Sequence, residues 1–460
     1  MSLNADSDEL GFELPRRYFA ATAVLIGVLM SAIDSSIVNI ALPSISHALQ
    51  VDPASIIWVA NGYLVASAAT MLISASLGSR VGERRFYTVG MVLFTLSSLG
   101  CGLSSTFTML VAMRVIQGIS YAVMISVGLG MYRVIFPPSS LGTIFGLNAL
   151  AFAVGTAIGP ALGGLIISYL SWPWLFYINI PLGVVAITLS FTALGTDSRT
   201  EKGFDWLGAI TSATAFGLMV VTVDRIGRWN SSIVLLSLIT SVVLLGAFVF
   251  IQVKTKNPLL PLDIFWSRRY SFAVISSVTM FVSQGIALVA LPFVLQHTYS
   301  YSVLKSAFII TPWPIAVAIC APIAGRLSNR FNPTKISTAG IVVFCLALGS
   351  FVLLPKNAEV GNFLWRITAC GIGYGFFLPP NNKEMFLNVT KNRAVTASGV
   401  LSTARTAGQS IGAAIVAMVI VLLNGRLADS SGMHFIIYVF GLACAISAIS
   451  SFASMLRLHR

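Results

Sequence analysis

The chain has 460 residues, 56% of them hydrophobic and 9% charged, with a formal net charge of +13 and a mean hydropathy of +0.88. Soluble domains carry about a quarter of their residues as charged groups, so this composition excludes an ordinary soluble protein and indicates a polytopic, all-α integral membrane protein. The basic excess does not indicate nucleic acid, because Lys and Arg lie in small groups between apolar runs, the pattern of topology determinants.

Residues 1–17 are polar and partly acidic, so they read as a cytoplasmic N-terminus rather than a cleaved leader, and the first apolar run is an anchor that stays. That run, 18–43, is long enough at about 1.5 Å per residue to cross a hydrocarbon core of ~30 Å, yet it carries Asp34 in its interior. A carboxylate there costs about 2.5–3.5 kcal/mol on insertion scales, which implies a function and a partner. Further apolar spans fall near 54–77, 86–104, 107–130, 141–169, 175–194, 206–224, 231–253, 270–296, 302–325, 334–355, 361–380, 395–423 and 433–456, which makes fourteen. With the N-terminus inside, twenty Lys and Arg residues fall on its side of the membrane and five (Arg225, Arg228, Lys305, Lys356, Arg426) on the other; Arg114, Arg366 and Arg405 lie within spans. Both termini are therefore expected in the cytoplasm.

An internal repeat appears at an offset of about 250 residues. Ala41-Leu42-Pro43 recurs as Ala290-Leu291-Pro292, and Arg114 with Gly118 to Tyr121 is answered by Arg366 with Gly371 to Tyr374. Gly146, Gly155 and Gly159 fall on Gly399, Gly408 and Gly412. Duplicated six-span halves follow, so the count reads 6 + 2 + 6: bundles at 18–194 and 270–456, an inserted pair of spans within 195–269, and a C-terminal tail at 457–460. A binding site is expected between the halves near the midplane.

Asp34 lies about 24 Å up its span from the inside, and Arg114 about 10 Å down a span entering from outside, so the two reach similar depths. They are the candidate proton-coupling pair, against the plainer reading of a structural ion pair. Cavity candidates are Asn39, Tyr63, Gln117, Tyr121, Gln284, Trp313, Tyr374 and Arg405, although each aromatic among them also suits packing. In span five, Gly155, Gly159, Pro160, Gly163 and Gly164 combine small residues four apart with a kinking proline, suited to close helix contact. The turn after span two, with Gly78, Arg80, Gly82 and Arg84, needs no explanation beyond a basic inside loop. The five cysteines and four histidines show no metal-ligand spacing, and neither a Walker loop nor a nucleophile elbow occurs, so an enzyme or an ATP-driven pump is not expected.

Together these residues resemble the major facilitator superfamily and, within it, the fourteen-span drug/proton antiporters. Leu29 to Pro43 looks like the first-helix motif, Arg114-Gln117-Gly118 like the fourth-helix motif, and the span-five glycines with Pro160 like the motif associated with antiport. Trp172, Trp174, Phe176, Asn179, Pro181 and Gly183 resemble the signature leading into span six. The chain departs from the family pattern at Ser79 and Asn329, where an acid would clamp the cytoplasmic side, and at Pro173, where Arg is usual. The second half carries no acid within its expected spans, which leaves neutral, zwitterionic or anionic substrates open. The resemblance implies a monomeric proton-coupled exporter of amphipathic compounds such as drugs, working by alternating access in a bacterial cytoplasmic (inner) membrane. Its energy source would be the proton gradient, with no cofactor, and its partners lipid, protons and a small molecule. A uniporter or proton symporter for a specific metabolite is the alternative.

Overall fold

In a computed structural model of the chain, residues 11–51, 53–56, 58–195, 203–225, 229–256, 258–260, 262–422 and 429–457 are described, and within helices the side chains of Asn39 and Pro160 lie outside the described residues. Among the described residues fourteen helices reach fifteen residues or more. They are α1 (Arg16–Leu49), α2 (Trp58–Val81), α3 (Glu83–Gly102), α4 (Phe107–Ile135), α5 (Leu141–Tyr169), α6 (Asn179–Ala193) and α7 (Trp206–Asp224). After these come α8 (Ser231–Lys254), α9 (Arg268–Phe293), α10 (Pro312–Arg330), α11 (Pro333–Val352), α12 (Val360–Leu387), α13 (Ala394–Leu422) and α14 (Asp429–Met455). Ten helical segments are long and apolar enough to cross a membrane by length and composition. The others differ for visible reasons in two cases: the apolar part of α7 is shorter, and α12 contains Arg366, Lys383 and Glu384.

A low-dielectric solvent explains why the helices run past their sequence boundaries. Backbone groups at membrane depth must be hydrogen-bonded within the chain, so α12 continues beyond Pro379 and Pro380 to Leu387, where the apolar pattern alone ends near residue 380. α8 leaves Leu235, Leu236, Val242 and Val243 exposed, a surface that water would penalise and acyl chains accept.

Helix pairing repeats along the chain. In the first set α1 packs on α5 and α6, α2 on α4, and α3 on α4 and α6. In the second set α9 packs on α13 and α14, α10 on α12, and α11 on α12 and α14. The sets meet through α5 against α10 and α12, and through α13 against α2 and α4, while α7 lies on α2 and α8.

The joint between the sets is close where glycines permit it, at the helix ends nearest residue 16. A Cβ added at Gly146 would stand 2.8 Å from the Ala321 carbonyl, and one at Gly130 would stand 2.8 Å from the Val395 backbone. Asn329 binds across this joint, donating to Thr143 Oγ1 at 2.7 Å and accepting from the Gly142 N–H at 3.0 Å and from Lys383 Nζ at 2.8 Å. Arg133 donates to the Phe386 carbonyl at 3.2 Å. Outside the spans Asp263 accepts from Arg393 at 2.5 Å, and this guanidinium holds its carboxyl below the usual range.

Gly118 makes a close backbone contact beside the first set's polar centre, since an added Cβ would meet the Tyr63 carbonyl of α2. Gly118→Leu is therefore expected to cost about 1–3 kcal/mol by overpacking. A lowered unfolding temperature in detergent, against little change for Gly361→Leu where space is open, is the measurement that checks it.

Candidate transport site: a buried carboxylate network beside a cavity

Asp34 sits just past the middle of α1, on a face that α4, α3 and α6 enclose, and it is fully buried. Arg114 Nη1 donates to Asp34 Oδ2 at 2.6 Å and to Gln117 Oε1 at 2.5 Å, and its Nε donates to the Val59 carbonyl of α2 at 2.9 Å. Gln117 Nε2 donates to Asp34 Oδ1 at 3.0 Å and to Ser98 Oγ at 2.8 Å. Asn179 Nδ2 adds a third donor to the carboxylate, at 3.1 Å from Oδ1. Spacing explains the convergence: Arg114 and Gln117, three apart on α4, share one face. An isolated buried carboxylate would be prohibitive, whereas a paired and hydrogen-bonded one is tolerated.

Two helices press against this arrangement from behind. α5 approaches α1 at the turns flanking Asp34, where a Cβ at Gly155 would lie 2.6 Å from Ala32 Cβ and one at Gly159 would strike Ser36 Oγ. Gly163 faces Ile37 Cγ1 in the same way, while a Cβ at Gly164 would meet nothing within 4 Å. The span-five glycines thus pack α5 onto α1 within the first set; the joint with α10 is made by Gly142 and Gly146 near the other end of α5.

Tyr63 separates the network from open space. The Arg114 guanidinium lies 4.5 Å from its ring centroid, the ring is 5.4 Å from that of Tyr121, and both tyrosines line a cavity of about 420 Å³. Ser31 and Ser35, one turn apart on α1, also line it, so the helix presents hydroxyls to the cavity and its carboxylate to the network. The opposite wall comes from α13, with Arg405, Thr406, Gln409 and Ser410.

Of the residues singled out in the sequence, Tyr63, Tyr121 and Arg405 line this cavity. Gln117 stands behind the wall as a ligand of Asp34. Gln284 lies one shell back, accepting from Gln409 Nε2 at 3.2 Å, and Tyr374 sits beside Gln284 and Arg405. Trp313 is buried against Phe344, ring centroids 5.8 Å apart, and backs Gly371, so it packs α10 onto α11 and α12. The side chain of Asn39 lies outside the described residues. In the turn between α2 and α3, Gly82 takes a φ of 109°, a left-handed conformation that only glycine adopts without strain. Gly78 packs against Val127, Arg80 lies over Phe204 at 5.1 Å, and Arg84 Nη2 donates to the Phe191 carbonyl at 2.6 Å.

Sequence reasoning missed Ser98 and Asn179 as ligands of the network. Asn179 stood within the span-six signature without a role, and a serine in an apolar helix gives no signal. It also missed a second buried acid, Glu384, which accepts from Thr334 Oγ1 and lies 3.6 Å from Arg457 Nη1. Arg457 in turn donates to Asn381 Oδ1 at 3.0 Å. These residues lie past the apolar stretch of their helices, where a pattern reader places a loop. Arg366, the repeat counterpart of Arg114, meets carbonyls instead of a carboxylate: Asn362 at 2.7 Å and Ser350 at 3.1 Å.

Membrane-length helices around a cavity, with a charged network buried at its edge and the pairings of the first six helices repeated in the last six, define a polytopic membrane transporter. The sequence profile of the Major Facilitator Superfamily matches residues 24–413, and the chain belongs to that family. It is 38% identical over 414 residues to the "Uncharacterized transporter YebQ" of Escherichia coli (strain K12), covering 89% of this chain and 90% of that one. It is 28% identical to the "Riboflavin transporter RibZ" of Clostridioides difficile (strain 630), over 87% of this chain and 88% of that one. A 30% identity to the "Tetracenomycin C resistance and export protein" of Streptomyces glaucescens spans 88% of this chain and 76% of the relative.

Removing one member of a buried ion pair strands the other. Arg114→Leu is expected to cost about 3–5 kcal/mol, and the double variant Asp34→Asn with Arg114→Leu to recover part of that loss. Thermal unfolding of the purified set gives the coupling; strictly additive losses would show that the two residues do not support each other.

Proposed function

We propose that the chain is a proton-coupled exporter that exchanges protons for a small amphipathic molecule by alternating access, as a monomer in a bacterial cytoplasmic (inner) membrane with both termini inside. In this reading the fourteen long helices all span the bilayer as 6 + 2 + 6. Helices α1–α6 (within 18–194) and α9–α14 (within 270–456) form the two bundles, and α7 and α8 (within 195–269) the inserted pair. The repeated pairing pattern supports that division. No cofactor is required, since the proton gradient supplies the energy.

The observation that carries the reading is the position of Asp34, bound by Arg114, Gln117 and Asn179 and separated from the cavity by Tyr63. Protonation would remove the charge that holds Arg114 and loosen the packing of α1 on α4 and α6. Substrate arriving in the cavity would act on the same helices, and competition for one conformation is sufficient for coupling. Release of the proton inward then resets the carboxylate. The span-five glycines would let α1 and α5 move as one unit. Similarity to a named export protein supports the outward direction.

A specific-metabolite transporter, working as a uniporter or proton symporter, is favoured by one observation, the similarity to a relative named for riboflavin. The sign of the proton flux on substrate addition to proteoliposomes separates the two.

The decisive variant is Asp34→Asn, isosteric and unable to titrate. In everted vesicles it is expected to abolish substrate movement driven by an imposed pH gradient while the protein purifies as a folded monomer. Unchanged gradient-driven transport would remove Asp34 from the proton path.

A further inference from the structure

We infer that the cavity is an organic-anion site, in which Arg405 of α13 receives the anionic group of an amphipathic substrate and the surrounding rings receive its aromatic body. This deepens the exporter reading and rests on it for the cavity being the transport site.

The argument starts from an imbalance. Inside a bundle a guanidinium presents five N–H donors to a medium that solvates them poorly, and buried charges are accordingly paired or hydrogen-bonded. Four other described cations with buried heads obey this rule at most of their donors, while Nε of Arg457 and, near helix ends, Nη1 of Arg80 and of Arg133 are also buried without an acceptor. Arg114 has a carboxylate and a carbonyl, Arg366 has two carbonyls, Arg457 has Asn381 and Ser454, and Lys383 has a carbonyl and Asn329. Arg405 does not. Among the described residues it has neither a carboxylate partner nor a hydrogen bond, and its Nε is buried without an acceptor. What it does have is two phenyl rings, Phe281 at 5.3 Å and Phe152 at 5.8 Å from the guanidinium carbon. Rings at that distance hold a cation in place while leaving its in-plane donors free for an anion.

Charge in the cavity has one sign. Arg405 is the charged group among the described lining residues, and the acid behind the cavity wall, Asp34, is fully buried and bound to Arg114 on the far side of the Tyr63 ring. A cationic ligand would meet uncompensated repulsion there, whereas an anion would supply the partner that Arg405 lacks. Tyr63, Tyr121 and Phe152 line the same space, so the body that accompanies the anion is flat and apolar. Hydroxyl groups of Ser31, Ser35 and Ser410 offer it further polar contacts. The cavity, about 420 Å³, falls within the usual range for small-molecule sites.

Three probes of one shape and three charges test this: 1-naphthoate, 1-naphthamide and 1-naphthylmethylammonium. They are titrated against the purified full-length chain in nanodiscs at pH 7 without a gradient. Naphthoate is expected to bind roughly 10- to 100-fold more tightly than the amide, the factor that a hydrogen-bonded charge contributes, with the ammonium compound weakest. Arg405→Gln is expected to erase the difference between acid and amide, and Arg405→Lys to keep part of it. Arg405→Lys carries the test alone if Arg405→Gln does not fold. The inference is overturned if naphthoate fails to bind the unmodified protein, if the ammonium compound binds equally well, or if Arg405→Gln, or Arg405→Lys standing in for it, keeps the full preference. Since no gradient is present, a failure of proton coupling seen with Asp34→Asn would leave this ranking of probes untouched, so the two readings fail separately.

Discussion

The constraint on which the first six helices depend is the hydrogen-bonding demand of one carboxylate in a medium that cannot solvate it. Asp34 draws donors from α4 and α6, and the arginine that meets it is itself held by a carbonyl of α2, while Ser98 of α3 steadies the amide beside it. Five helices are thereby tied to one point, and α5 is pressed onto α1 at the same level through Gly155 and Gly159. In such a place the partners decide the geometry, since a misplaced donor leaves a buried charge exposed to lipid-like surroundings.

The helix pairings recur in two sets, which makes the difference between the sets informative. Position for position the second set repeats the helix pairings of the first, yet at the place of Arg114 it has an arginine satisfied by backbone carbonyls. Its buried acid, Glu384, sits instead at the end of α12 beside Thr334 and Arg457, far along the helix from Arg366. The two sets thus share their helix pairings and differ in their polar centres.

Most of the helical layout was legible in the sequence because bilayer thickness writes itself into runs of apolar residues. The limits of α5 and α7, Leu141–Tyr169 and Trp206–Asp224, coincide with the apolar boundaries. The extension of α12 was not legible, since two prolines followed by asparagines look like a stop in water, and only the need to satisfy backbone in a low dielectric carries the helix onward. The pairing of Asp34 with Arg114 could be read from matched depth. The roles of Gln117 and Trp313 could not, because depth does not say which way a side chain faces: Gln117 turns to the carboxylate and Trp313 into the packing between helices. Ser98 and Asn179 carried no charge to draw notice.

The Tyr63 ring is a shared wall, with the Arg114 guanidinium against it and the cavity open to it. Its hydroxyl has no hydrogen-bond partner among the described residues, so no polar tether fixes the ring in place. A molecule in the cavity that shifts this ring alters the surroundings of the ion pair, and linkage makes the effect reciprocal. Whatever factor an occupant applies to the proton affinity of Asp34, protonation applies the same factor to the affinity for the occupant. One aromatic side chain is therefore enough to make the state of the ion pair and the occupancy of the cavity interdependent, with no direct contact between the two.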